Sequence, residues 1–354
     1  MEGHAGNYAM MRLKGDSVVN HTLDSRLERE SEWTKKHSTI VECDRIFQNN
    51  IEQSTFFIPT PENTFDVQIS RNIEIVKAKK AVKKTIQEET LEFWNSKVEM
   101  LTMQGDLAKI LIEEKENITW QSIIRNVPRG VLSFALKSVT NTLPSPDNLK
   151  RWGKRTVSKC PLCSNHGTLQ HILNFCSVSL TQGRYTWRHD GVLNHLATVL
   201  IESKPDNCEV LVDLPGLDQN GSTIPADILL TTSRPDLVIL NREEKKIFLL
   251  ELTCSFETNV DSANIRKTLK YTHIKQDIED QGYTCILLPF EIGSRGYVSR
   301  RNKVALMTVF TATKMKANAA KCIKQLSKIS LASSFSIFHA FTQPSWRDPP
   351  LLKP

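Results

Sequence analysis

Three cysteines and a histidine constrain this chain more than any other feature. Cys160, Cys163, His171 and Cys176 follow the spacing C-x2-C-x7-H-x4-C. Thiolates and an imidazole are donors that Zn²⁺ takes at the corners of a tetrahedron, and a site filled by four protein ligands is structural, not catalytic. The backbone between Cys160 and Cys176 must therefore fold back on itself. Pro161 restricts the turn that sets the first two thiolates side by side, and Gly167 permits a reversal. The five-residue step from His171 to Cys176 suits a short helix presenting both from one side. His166 lies in the intervening loop as an alternative imidazole. The chain has eight cysteines, and the five outside this window are scattered, which is not the pattern of a disulfide scaffold. An intracellular, reducing setting is expected, in which thiols remain available to metal.

The 354 residues carry 46 lysines and arginines against 39 acidic residues, a net charge of +7. That balance is mild, but the charge is uneven. Basic clusters stand at Lys77–Lys84, Lys150–Arg155, Ser299–Lys303 and Lys314–Lys324, which favours a polyanionic partner. No apolar run reaches the ~18 residues needed to span a bilayer. The first residues, Met1 to Val18, show no apolar core of a secretory signal, so none is expected.

Apolar periodicity divides the chain. Residues 1–66 read as a poorly defined arm, with "FFIPTPENTF" as a linker. Residues 67–149 read as a helical linker region, with Phe93, Trp94, Val98 and Leu101 on one stripe, Gly105 as a break, and helices stopped by Pro128 and Pro144. Residues 150–203 hold the cysteine–histidine module and a following helix from Gly183 to Ser203. Residues 204–340 alternate strands and helices: "CEVLVDLPG", closely spaced strands across Pro225–Cys254, a helix over "SANIRKTLKYTHIKQDIEDQG", the strand "YTCILLPFEIG", and one or two terminal helices. This is an α/β core with a mixed sheet. Residues 341–354 read as a frayed tail.

"RPDLVILNREEKKIFLLELT" (Arg234–Thr253) predicts a hairpin with "NREEKK" as its turn, which brings Asp236 and Glu251 to one end of adjacent strands. By alternation, Glu251 shares a face with Leu249, while Leu250 and Leu252 take the other. A carboxylate in such an apolar run is costly unless it is paired or binds metal. Two neighbouring carboxylates suit Mg²⁺ or Mn²⁺, oxygen-seeking ions that keep waters able to attack a phosphate. Phosphodiester cleavage also needs a cation near the transition state. In the arrangement Pro-Asp…Glu-x-Lys it stands two residues after the glutamate, where this chain has Thr253. Lys270 and Lys267, one helical turn apart in "NIRKTLKYTHIK", are the candidates. Around the metal module, Arg151, Lys154 and Arg155 are placed for phosphates, and "RYTWRH" adds Arg184, Tyr185, Trp187 and Arg188 as phosphate or base contacts, with a core position equally open to Trp187.

From about Val127 to Phe310 the chain resembles the C-terminal region of site-specific non-LTR retrotransposon polyproteins, which joins a zinc knuckle to a restriction-like endonuclease. "CPLCSNHGTLQHILNFC", "GRYTWRHDGVLNHL", "RPDLVIL…LELTCSFETN" and "PFEIGSRGYV" carry the resemblance in order. It implies a restriction-endonuclease-like core and an enzyme that nicks DNA at a target site. It also implies metal-binding roles for Asp236 and Glu251, a lysine moved to the next helix (Lys267 or Lys270), a contact from Arg234 to a phosphate of the nucleic-acid backbone, and positioning roles for Glu257 and Tyr271. Expected partners are DNA and element RNA, with a second copy or an upstream reverse transcriptase as further candidates. The expected location is the nucleus. The chain departs from the pattern where Cys254 and Ser255 follow "ELT". It contains no Tyr-x-Asp-Asp motif, so no copying of RNA is expected of it.

Overall fold

The computed structural model describes residues 55–59, 65–69, 75–101, 105–113, 126–216, 223–315 and 318–351. Two compact units divide at Met100 and Leu101.

In the first unit, strands β1 (Thr55–Pro59) and β2 (Phe65–Ile69) pair antiparallel, Thr55 opposite Ile69. The stretch expected to be a linker is thus a hairpin, with Pro59 closing β1, where its missing N–H ends the ladder. Helix α1 (Ile75–Glu99) follows. Of its expected stripe, Phe93 and Val98 are half-buried but Trp94 is exposed. The expected helix around "ITWQSIIRNVP" lies mostly outside the described residues.

The second unit is built on a four-stranded sheet of order β3 (Cys208–Val212), β4 (Leu237–Asn241), β5 (Lys246–Ser255), β6 (Thr284–Gly293). The first three strands run antiparallel in turn, and β6 lies parallel to β5. A parallel pair needs a crossover, here helix α7 (Val260–Asp280). Before the sheet come α2 (Asp106–Glu113), α3 (Arg129–Val139), α4 (Pro146–Arg151), a π-helical turn (His171–Phe175), α5 (Ser177–Thr181) and α6 (Arg184–Ser203). After it come α8 (Arg300–Ala312) and α9 (Ala319–His339). The mixed α/β architecture matches the expectation. Two details differ. Pro225–Leu229 forms a turn, with the Ile228 and Leu229 N–H groups donating to Pro225 O, where a strand was expected. The tail is docked, not frayed: Trp346 meets Trp187 edge to face at 5.5 Å, and Leu351 packs on Gly191 of α6 so closely that a Cβ there would lie 2.8 Å from its Cδ2.

Strand alternation sorts the core. Leu237, Ile239, Phe248, Leu250, Leu252 and Phe290 face α6, α8 and α9. Val238, Leu240, Ile247 and Leu249 face Tyr271, Ile274 and Ile278 of α7. A third cluster joins Phe134 of α3, Leu169, Ile172 and Leu173 beside the cysteines, and Phe338 of α9. Among the described residues, no helix is long and apolar enough to cross a membrane.

Candidate zinc centre and acidic site

A short hairpin presents the first two cysteines. Lys159 and His166 bridge it, the Cys160 N–H donates to Asn165 O (2.7 Å), and the Gly167 N–H donates to Ser158 O (2.7 Å). A Cβ on Gly167 would lie 2.7 Å from Pro146 Cγ, so only glycine lets α4 approach. The other two ligands come from the π-helical turn, with Cys176 as its C-cap. Its i→i+5 hydrogen bonding widens the turn and brings residues five apart toward one side. An ordinary α-turn would swing Cys176 away from His171. The Thr168 hydroxyl accepts from the His171 N–H at 3.0 Å, and the Cys176 N–H donates to the Tyr185 hydroxyl at 3.0 Å.

Cys160 Sγ and Cys176 Sγ are 4.0 Å apart, and Cys163 Sγ is 3.1 Å from His171 Nε2. All four donors lie within 4.8 Å of one another. A tetrahedron with zinc–ligand lengths of about 2.0–2.3 Å has edges of roughly 3.5–3.8 Å, so donor set and spacing both fit zinc. Burial lowers the His171 pKa, keeping the ring neutral as ligation requires. Burial pushes the Cys160 thiol up to about 11, a cost that a bound cation would offset. At Cys176 burial acts in the same direction, but hydrogen bonds from Ser179 help reverse it and the thiol is lowered. His166 is no ligand: it is exposed, and its Nε2 pairs with Asp147 at 3.0 Å.

Asp236 precedes β4 directly, and Glu251 lies on the α7 face of β5. The Asp236 N–H donates to Glu251 Oε2 (3.3 Å) and the Leu252 N–H donates to Asp236 Oδ2 (2.7 Å). Glu251 is only 3% exposed. Lys267 forms an ion pair with Glu251 Oε1, and Lys270 Nζ stands 3.6 Å from the same oxygen. Lys270 also donates to the Tyr271 hydroxyl (2.8 Å), which donates to Arg234 O (3.1 Å). Burial, with Glu251 and Asp236 nearby, raises the Tyr271 pKa and keeps the phenol protonated. Arg234 pairs with Asp213 at 2.5 Å. The Thr253 hydroxyl, at the lysine position of the Pro-Asp…Glu-x-Lys arrangement, makes no hydrogen bond.

Sequence reasoning missed His189 and Asp190. Helix α6 brings His189 Nε2 to 3.4 Å from Asp236 Oδ2, while its Nδ1 lies 3.0 Å from Asp190 Oδ1. Burial opposes the imidazolium, but the two carboxylates outweigh it and push the His189 pKa up to about 10. The adjacent pair "HD" in a helix was the signal, but nothing local tied it to Asp236.

Two expected nucleic-acid contacts are corrected. Arg184 and Arg188 are 0% and 1% exposed and cannot reach a phosphate. Arg184 donates to Ala340 O and Gln343 O, both at 2.7 Å, tying α6 to the C-cap of α9 and the turn after it. Arg188 donates to Ser334 Oγ (2.9 Å) and Cys254 O (3.1 Å). Tyr185 and Trp187 are likewise packed against the core, so "RYTWRH" is no stacking surface. Glu257 lies in a buried ion pair with Arg295 at 2.6 Å, bracing the turn after β6. In contrast, Arg151, Lys154 and Arg155 are all exposed. The Cys254 carbonyl, three residues beyond Glu251, also accepts from Asn174 Nδ2 at 2.8 Å. Asn174 lies in the π-helical turn.

Residues 104–182 match a family model described as zinc-binding in reverse transcriptase. The match spans all four metal ligands and the basic loop before them. The match is consistent with a retrotransposon-related zinc-binding module in this stretch. No curated protein matches the chain.

Proposed function

We propose that this chain is a metal-dependent DNA endonuclease of retrotransposon descent, acting in the nucleus behind a zinc-bound nucleic-acid module. The observation that carries the reading is the convergence of Asp236, Glu251, Lys267 and Lys270 at one end of the β4–β5 hairpin. The order helix, three strands, helix, strand is consistent with the restriction-like core that the family resemblance implies.

Asp236 and Glu251 would hold Mg²⁺ or Mn²⁺. When bound, such an ion supplies Lewis-acid polarisation of a phosphate oxygen and a water of lowered pKa. The protein's own groups do the rest. The Asp236 and Leu252 N–H groups and His189 fix the two carboxylates in place. Lys267, the less exposed lysine and the one closer to Glu251, stabilises charge developing on the phosphate. Lys270, held by Tyr271, contributes at longer range. Arg234 orients the strand backbone. The functional division follows the segments read from sequence: an arm (1–66), a helical linker (67–149), the zinc module with its helix (150–203), the nuclease (204–340) and the tail (341–354).

A second reading has its own observation. His189, Lys267 and Lys270 already neutralise the acidic pair and Thr253 stands at the usual lysine position, an arrangement a catalytically silent DNA-binding remnant would tolerate. Nicking of supercoiled plasmid with Mg²⁺ or Mn²⁺ separates the two. The endonuclease reading expects nicking by the wild type and its loss in Asp236→Ala and Glu251→Ala. Equal activity in all three refutes the assignment, and filter binding without nicking selects the remnant.

A further inference from the structure

The basic loop between α4 and the zinc hairpin displays a tryptophan. From Lys150 to Lys159 the sequence KRWGKRTVSK holds five cations and no carboxylate. Every residue from Lys150 to Val157 is exposed, and Trp152 at the centre is 41% exposed. An indole left partly open to water beside so many cations costs hydrophobic free energy that a stacking partner would offset.

The loop is firmly held. Its base is α4, whose buried Asn148 donates through Nδ2 to Asn141 O and Leu143 O, both at 2.7 Å. Trp152 N–H donates to Asn148 O (2.9 Å), Gly153 N–H to Lys150 O (2.9 Å), and Lys154 N–H to Leu149 O (2.8 Å). Gly153 takes a φ of +69°, the left-handed conformation glycine adopts without strain, and this turns the chain so that Trp152 and the next cations share the loop. Pro146 rests on Gly167, and the Asp147 N–H donates to Gly167 O at 3.2 Å. The zinc hairpin therefore sets where the platform stands.

We propose that this loop binds single-stranded nucleic acid, with Trp152 stacking on an unpaired base while Lys150, Arg151, Lys154, Arg155 and Lys159 track the phosphates. The proposal deepens the reading of the module as nucleic-acid-binding and rests on it. Duplex bases offer their faces to one another, whereas an unpaired base offers its face to an indole, and such stacking is tolerant of sequence. The stacking role that the sequence placed at Trp187 thus moves to Trp152.

The test is fluorescence anisotropy of the zinc-loaded full chain with three labelled 12-mers of one sequence: single-stranded DNA, single-stranded RNA and duplex DNA. Trp152→Ala is expected to weaken single-strand binding roughly 5- to 100-fold and duplex binding less than about 2-fold, and Trp152→Phe to restore most of the loss. Comparison of the DNA and RNA arms shows which strand is the natural occupant. The double variant Lys154→Ala/Arg155→Ala should weaken all three ligands and flatten the salt dependence by about 0.7 per lost contact on single strands. If that variant weakens binding and Trp152→Ala does not, or if Trp152→Ala weakens single strand and duplex equally, stacking is overturned while the nucleic-acid reading stands. If neither variant changes binding, both fall.

Discussion

His189 should make the protein's stability depend on pH in a way its replacement abolishes. Its pKa rises from 6.5 to about 10 in the folded chain because Asp190 and Asp236 outweigh burial. Taking 6.5 as the unfolded value, the span of 3.5 pH steps at about 1.4 kcal/mol each gives at most about 5 kcal/mol. Because the folded pKa is the higher one, this contribution is fully present below pH 6.5. It declines by roughly 1.4 kcal/mol per pH step and is gone above about pH 10. His189→Gln keeps a polar side chain of similar reach and removes the charge. Urea denaturation of both proteins, zinc-saturated, at pH 6.5, 7.5, 8.5 and 9.5 gives a stability difference at each pH, from which titrations elsewhere cancel. The difference should shrink steadily with pH, from ~3–5 kcal/mol at the acid end. A difference that does not change with pH would show that the carboxylates do not hold an imidazolium, and the placement of His189 against Asp236 would be wrong.

Other outcomes follow from the same geometry. Chelation of zinc, or Cys160→Ser, should loosen residues 150–200. Unchanged circular dichroism and protease sensitivity would contradict the four-ligand centre. Gly167→Ala must push Pro146 or the hairpin aside and should cost ~1–3 kcal/mol together with weaker zinc binding, so a neutral thermal melt would refute the close approach. Lys267→Ala should slow plasmid nicking more than Lys270→Ala, since Lys267 makes the closer of the two ion pairs with Glu251. The reverse order would hand the role to Lys270.

What could be read from sequence was what is local. The zinc ligands lie within one short window, and their chemistry leaves few arrangements. The faces of β5 follow from alternation, and Glu251 shares the α7 face with Leu249 as that rule requires. Interactions between distant segments were hidden. His189 reaches Asp236 across 47 positions of sequence, and no periodicity records such a meeting. Arg184 and Arg188 looked like surface cations because arginine is seldom buried; here the carbonyls of Ala340, Gln343 and Cys254 accept from them inside. The tail looked frayed because four of its fourteen residues are proline, yet Trp346 and Leu351 anchor it.

One shared acceptor has a consequence for inheritance. The Cys254 carbonyl takes hydrogen bonds from Asn174 of the π-helical turn and from Arg188 of α6, so the strand bearing Glu251 is pinned by the segment bearing His171 and Cys176. Two modules joined by a plain linker can be exchanged one at a time by recombination. Here a breakpoint between residues 188 and 254 that brings in a foreign sheet must still set its strand-end carbonyl where both Asn174 and Arg188 can reach it. Zinc module and sheet should therefore exchange best as one block, and chimaeras split near residue 204 should be less stable than chimaeras in which both sides of this contact come from the same parent.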